Sequence, residues 1–256
     1  MAEGNGAEID AARFAAASDA TWPGETVGSL GDWRLRFTHG AGSRAASAWA
    51  AGPADRPLGD AVTAVEAAYA EQGLTPRFQL WPGDEALDSH LEDRGYRAYD
   101  RSHLMARSLE EPLPVPQSPP TPDGRETMAI DVRTPLAVLD DIWAMGGIGP
   151  ARRSVLARAP GLKAIFLGRV GMRPAGATAV VLDGKVAVTQ ALYVMPEARR
   201  CGLGAVLLRA GASFAKDSGA DVMAHSVVAG NDAAITLYQR LGFQIFGSYH
   251  YREATR

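Results

Sequence analysis

The 256-residue chain has one cysteine, Cys201. An internal disulfide is therefore excluded, and a lone thiol suits a reducing compartment. No run approaches the ~20 consecutive apolar residues that a membrane-spanning helix needs. The first residues, Met1 to Glu8, lack the basic segment and apolar stretch of a secretory leader, so the expected location is cytoplasmic. Charge of one sign is also missing: 26 Lys and Arg face 29 Asp and Glu, a formal net charge of −3. That balance gives no electrostatic reason to bind nucleic acid or an anionic membrane, and neither is expected as a partner. What remains is an ordinary globular composition, 46% hydrophobic and 21% charged, in a chain long enough for two domains.

Proline is unevenly spread. Pro112, Pro114, Pro116, Pro119, Pro120 and Pro122 fall between Glu110 and Asp123. Proline fixes φ and removes a donor, so this stretch reads as a stiff, extended linker. The expected division is residues 1–109, a linker at 110–125, and residues 126–256.

Downstream, the pattern predicts a strand at Met128–Arg133, helices at Leu136–Met145 and Pro150–Ala159, and strands at Lys163–Arg169 and Ala177–Leu182. An Asp183-Gly184 turn leads into a strand at Val186–Val194. A helix from about Gly204 to Ser218 follows, with Leu203, Val206, Leu207, Ala210 and Phe214 on one face and Gly219 as its stop. A strand at Asp221–Val228, a helix at Asp232–Leu241 and a strand at Gln244–Tyr251 complete an α/β (α+β) unit with a mixed sheet. Upstream, Trp33–Phe37, Arg44–Ala50 and Phe78–Leu80 read as strands, and Ala61–Gln72 and Glu85–Arg94 as helices. Gly95-Tyr96 aligns with Gly242-Phe243 at an offset of 147 residues. The same offset puts Gly83 on Gly230, Asp84 on Asn231, Ala86 on Ala233 and His103 on His250, which suggests an internal repeat.

The segment Val194–Ala205 runs from strand to helix through Arg199-Arg200-Cys201-Gly202-Leu203-Gly204. The glycines let the backbone turn its N–H groups inward, the helix start adds partial positive charge, and the arginines add full charges. This is a cradle for a pyrophosphate.

Arg199-x-x-Gly202-x-Gly204 resembles the coenzyme A motif of the GNAT N-acetyltransferase superfamily. Asn231 followed by Tyr238-x-x-x-Gly242-Phe243 is similar to that family's second signature. The resemblance implies two GNAT-like domains, each a mixed β-sheet flanked by helices. It implies acetyl-CoA as co-substrate, a small-molecule amine as acceptor, direct transfer and no metal. Leu192, Tyr193 and Val194 would pair with the pantetheine arm, and a backbone N–H near Val194 would polarise the thioester carbonyl. Arg199, Arg200, Cys201, Gly202, Leu203, Gly204 and Ala205 would hold the pyrophosphate. Asn231 would cap its helix and reach the arm, and Tyr238 would protonate the leaving thiolate.

The sequence names no clear base: His225, His250, Glu197 and a water chain all stand open. Arg152, Arg153 and Arg158 are either carboxylate ligands or a solvated helix face. Upstream, Arg56-Pro57-Leu58-Gly59-Asp60-Ala61 matches the same pattern. Pro57 removes a donor there, Asp60 brings negative charge, and Leu91 stands where Tyr238 would. The first half therefore resembles the degenerate half of a tandem GNAT protein. A non-catalytic acyl-CoA sensor and a protein or peptide N-acetyltransferase are the rival readings.

Overall fold

Alternating apolar periods fold into helices and strands in a computed structural model that describes residues 9–115, 124–134 and 136–255. The first half contains α1 (Ala11–Thr21), β1 (Thr26–Leu30), β2 (Trp33–Phe37), β3 (Ala48–Ala50), α2 (Leu58–Glu71), β4 (Arg77–Leu80), α3 (Glu85–Asp93) and β5 (Arg97–Ser108). The second contains β6 (Thr127–Asp131), α4 (Ala137–Met145), α5 (Pro150–Arg158), β7 (Lys163–Val170), β8 (Arg173–Asp183) and β9 (Val186–Val194). It continues through α6 (Leu203–Asp217), β10 (Val222–Val228), α7 (Asp232–Arg240) and β11 (Gln244–Glu253). The expected strand Arg44–Ala50 is shorter than its apolar content suggested: Ser43–Ala45 is a 3₁₀ turn, and only Ala48–Ala50 pairs. Helix α1 and strand β1 went unanticipated, α1 because its alanine-rich pattern carries little amphipathic signal.

The strands do not form one sheet per half, contrary to expectation. They form a single sheet in the order β1-β2-β3-β4-β11-β5-β10-β9-β8-β7-β6. The closing strands are interleaved: β11 lies between β4 and β5, and β5 between β11 and β10. A strand edge must find partners for its N–H and C=O groups, and here each half supplies them to the other. The register obeys the 147-residue offset. Ser102 faces Tyr249, its own equivalent at that offset. The pairs His225↔Met105 and Val227↔His103 have images in Arg252↔Phe78 and His250↔Leu80.

The halves also share cores. Helix α1 packs against β8 and β9, and Trp22, Ala41 and Ala45 are buried with Leu139, Ile142 and Trp143 of α4. On the opposite side α6 buries Leu203, Leu207, Leu208 and Ala212. It lies close to the sheet at Gly211, where a Cβ would come within 2.6 Å of Val180 Cγ2. The start of the expected linker, residues 110–115, packs against the fold as it leaves β5. Leu113 is buried beside Leu109 and Leu182, and the Arg107 guanidinium donates to the Pro112 carbonyl at 3.0 Å. Pro116, Pro119, Pro120 and Pro122 lie outside the described residues.

Candidate functional site

Strands β9 and β10 run parallel but pair only at Val186↔Val222, Ala187↔Met223 and Val188↔Ala224. Beyond Val188, β9 stays with β8 while β10 stays with β5, so the two diverge and leave a wedge-shaped opening. A β-bulge keeps β9 on its course. The register shifts between Ala177 and Ala179, and Ala191 adopts φ +53°. A non-glycine residue in that region is strained and needs support. Trp143 supplies it by donating its indole N–H to the Ala191 carbonyl at 2.8 Å. Past the bulge, the Met195 N–H bonds back to Ala175 at 2.9 Å. Backbone groups alternate along a strand, so the Val194 N–H and C=O turn to the open side. Arg199 Nε donates to that carbonyl at 3.1 Å, leaving the N–H.

The loop at the end of β9 makes a 3₁₀ turn at Pro196–Ala198, passes Arg200 at φ +65° and Gly202 at φ +84°, and enters α6. A helix start leaves its first N–H groups without intrahelical acceptors. At α1 and α7 a side chain fills this role, Asp10 and Asn231 respectively, but at α6 the cap residue is Gly202 and no side chain caps. The N–H groups of Leu203, Gly204 and Ala205 thus meet an exterior flanked by the exposed Arg199 and Arg200. Room is tight at Gly204, where a Cβ would lie 3.0 Å from Leu237 Cδ2. Cys201 is half-buried and donates its thiol to the Ala198 carbonyl at 3.0 Å. The corresponding turn at α2 is unsuited to an anion, because Asp60 sits in its first turn and Arg56 is paired with Asp55 at 2.8 Å.

The opening between β9 and β10 holds a cavity of about 340 Å³ that brings together Leu192, Asn231, Tyr238 and His225. Asn231 Oδ1 accepts the Ala234 N–H at 3.2 Å, so the capping role is realised while the residue also lines the cavity. Tyr238 is buried, and burial pushes its phenol up to about 12, so it carries its proton at neutral pH. Its ring lies against that of His225, centroids 3.7 Å apart, and Phe243 packs on both, 4.7 Å from the imidazole and 6.0 Å, edge-on, from the phenol ring. Neither His225 nitrogen has a hydrogen-bond partner among the described residues, and burial lowers the imidazole to about 3. It is held neutral. A second hollow, of about 400 Å³, at Gly161, Leu162, Asp183 and Ser218 is lined by none of these groups.

The structure therefore gathers Leu192, Asn231 and Tyr238 at the cavity, and Arg199, Arg200, Cys201, Gly202, Leu203, Gly204 and Ala205 at the loop beyond β9. Tyr193 is half-buried with the Arg199 guanidinium 6.0 Å from its ring. The suggested bases fare differently. His250 is tied to Asp88 at 3.2 Å, and Glu197 lies exposed in the 3₁₀ turn; neither lines the cavity. Of the three arginines of α5, Arg153 pairs with Asp140 at 3.0 Å and only Arg152 reaches the cavity. Arg44, Trp22 and Gln190 also line it. Their sequence context carried no sign of this, since contacts across more than a hundred residues bring them there.

Comparison with known proteins agrees with this geometry. Residues 150–243 match the acetyltransferase (GNAT) family. The chain is 29% identical over 247 residues, 94% of its length and 96% of the other, to an uncharacterised N-acetyltransferase, YobR, of Bacillus subtilis (strain 168). A GCN5-related N-acetyltransferase from Kribbella flavida shares the fold with a TM-score of 0.73 at 21% identity, covering 99% of this chain and 97% of that one. A functionally unknown conserved protein from Staphylococcus epidermidis has a TM-score of 0.61 at 12% identity, covering 90% and 93%. The match to the acetyltransferase (GNAT) family thus covers residues 150–243, and the whole chain shares a mixed α/β GNAT-like fold.

Proposed function

We propose that the chain transfers an acetyl group from acetyl-CoA directly to a primary amine of a small molecule. One observation carries this reading: the uncapped N-terminus of α6 follows the end of β9, and the proton-bearing Tyr238 lines the cavity where β9 and β10 part. The Leu203, Gly204 and Ala205 N–H groups, with Arg199 and Arg200, fit a pyrophosphate. Acetyl-CoA bound there supplies an activated thioester. The Val194 N–H, left free on the open edge, donates to the carbonyl that gains negative charge. Tyr238 holds a proton at its phenol oxygen for the departing sulfur. Alignment of amine and carbonyl accounts for most of the remaining acceleration.

A free alkylamine has a pKa near ~10.4 and is overwhelmingly protonated at neutral pH. His225 does not accept that proton, because an imidazole held at about 3 is a feeble base. Water in the cavity takes this role in our reading. One rival, a non-catalytic acyl-CoA sensor, is favoured by a further observation: among the described residues no side chain lining the cavity is a carboxylate. The first half, with its spoiled turn at Arg56–Ala61 and Leu91 in place of Tyr238, is read as a degenerate GNAT-like unit that walls the acceptor side.

Thiol release from acetyl-CoA over a panel of amines, read beside coenzyme-induced thermal shift, tests the proposal. Amine-dependent thiol release is expected. A thermal shift with no turnover on any small amine or peptide would point to the sensor, and turnover confined to peptides would shift the acceptor class.

A further inference from the structure

Buried arginines in this fold are normally satisfied. Arg36, 1% exposed, donates to the Ser47 carbonyl at 2.9 Å and to Gln79 Oε1 at 2.8 Å, and faces Asp19 at 3.5 Å. Arg44 is different. It sits in the 3₁₀ turn of the first half, half-buried, with its guanidinium 4.7 Å over the Trp22 ring. Its one hydrogen bond among the described residues runs from Nη2 to Gln190 Oε1 at 2.7 Å. Gln190 is itself oriented, because its Nε2 donates to Thr21 Oγ1 at 3.1 Å and so turns its oxygen toward the arginine. The guanidinium is thus clamped between an aromatic face and a fixed amide. Its Nε and Nη1 donors have no acceptor among the described residues.

The charges around it are unfavourable to a cation. Burial lowers the Arg44 pKa from its ordinary value, and Arg152 and Arg36 push the same way. The Tyr249 and Tyr251 phenols oppose this, but among the described residues no carboxylate contributes. Arg152, on α5, reaches over Gly42, where a Cβ would lie 3.1 Å from its Nη2, and it lines the same cavity. Partial burial of a cation without a counter-ion is unfavourable, and an anion entering the cavity relieves it. A rigid guanidinium with two free donors matches the two oxygens of a carboxylate. The coenzyme's pyrophosphate already has its own loop beyond Val194, whereas Arg44 attaches to β9 four residues earlier, at Gln190.

We propose that the acceptor amine also carries a carboxylate, held by Arg44 in the depth of the cavity and by Arg152 at its mouth. This rests on the acetyltransferase reading above. A half of the molecule with no cradle of its own thereby selects the substrate.

The test compares paired amines: α- and ω-amino acids, their carboxamide or decarboxylated twins, and phosphoethanolamine as a phosphate-bearing alternative. Two readouts are taken, thiol release from acetyl-CoA and thermal shift in the presence of CoA. The carboxylate member of an accepted pair is expected to show a kcat/KM about 10- to 100-fold above its twin, mainly through KM. It alone should stabilise the CoA-bound protein. In Arg44→Gln that preference collapses while the shift caused by acetyl-CoA persists, and Arg44→Lys recovers only part of it. Equal use of both twins, no carboxylate-dependent shift across the panel, or a preference for phosphoethanolamine alone would each overturn the proposal. Loss of preference together with loss of the acetyl-CoA shift would show Arg44 to be a structural residue. Failure of acetyl-CoA to bind the wild-type protein would instead remove the acetyltransferase reading itself.

Discussion

Tyr238 and His225 touch one another, yet the physical demands on them are opposite. Tyr238 holds a proton up to about 12, and His225 refuses one down to about 3. Tyr238→Phe keeps the ring and removes one O–H, so coenzyme affinity should be unchanged. A thiolate leaves readily, with a pKa of about 8.5, so general-acid help belongs at the low end of its ~10²–10⁴-fold range. A fall of that size, equal in kcat and kcat/KM, is expected from steady-state kinetics. An unchanged kcat where chemistry limits the rate would make Tyr238 a packing residue. For His225 the folded pKa lies below the unfolded 6.5, so its contribution to stability is present above pH 6.5 and fades as pH falls towards 3. His225→Phe should flatten the melting temperature between pH 6.5 and 4.5, and a decline parallel to wild type would clear His225 of responsibility. Tyr238, Asn231 and Gly202 were legible because each belongs to a spaced motif. The state of His225 was not, since a strand pattern does not say how dry its surroundings are.

Element starts carry the next set of consequences. Helix α6 begins without a cap, and α2 begins with Asp60 in its first turn. Acetyl-CoA at 100 times its Kd should stabilise the protein by about 2.7 kcal/mol, a shift of several degrees. Gly202→Asp should abolish the shift through charge and through strain at φ +84°. Gly202→Asn, which tolerates that region better and adds no charge, should retain part of it. Gly59→Asp should leave it intact, and the reverse pattern in a thermal-shift titration would exchange the roles of the halves. Asp84, the positional equivalent of Asn231, shows the same logic in reverse. Burial raises its carboxyl to about 6 although its Oδ2 accepts the Trp81 N–H at 2.8 Å. A raised carboxyl contributes stability below its unfolded pKa of 3.8 that is lost as pH rises through about 6. Asp84→Asn should therefore raise the melting temperature at pH 7.5 and not at pH 4, and an equal change at both would exclude ionisation as the cause. Most strands and helices of the second half were legible to within a few residues. The 3₁₀ turn at Arg44 was misread as strand because its alanines fit either conformation.

At the scale of the molecule, the sequence repeat was readable but the exchange of closing strands was not. Local patterning specifies a strand and its buried face, not which neighbour it chooses. Residues 126–256 expressed alone would lack β5, the strand on which both β10 and β11 pair. That fragment should be unfolded or self-associated by circular dichroism and size-exclusion chromatography, whereas the whole chain should melt in one transition. A stable, monomeric fragment would show that the interleaving is dispensable. The interleaving also bears on birth of the protein. Strand β5 leaves the ribosome before either neighbour exists, and its second neighbour ends at Glu253. At ~5–20 residues per second, the wait after Ser108 lasts roughly 7 to 30 seconds. A 12-residue strand shows two bare edges until β10 ends at Val228, and one until β11 is made, so nascent chains, rather than finished ones, are where aggregation and chaperone capture of this protein should concentrate.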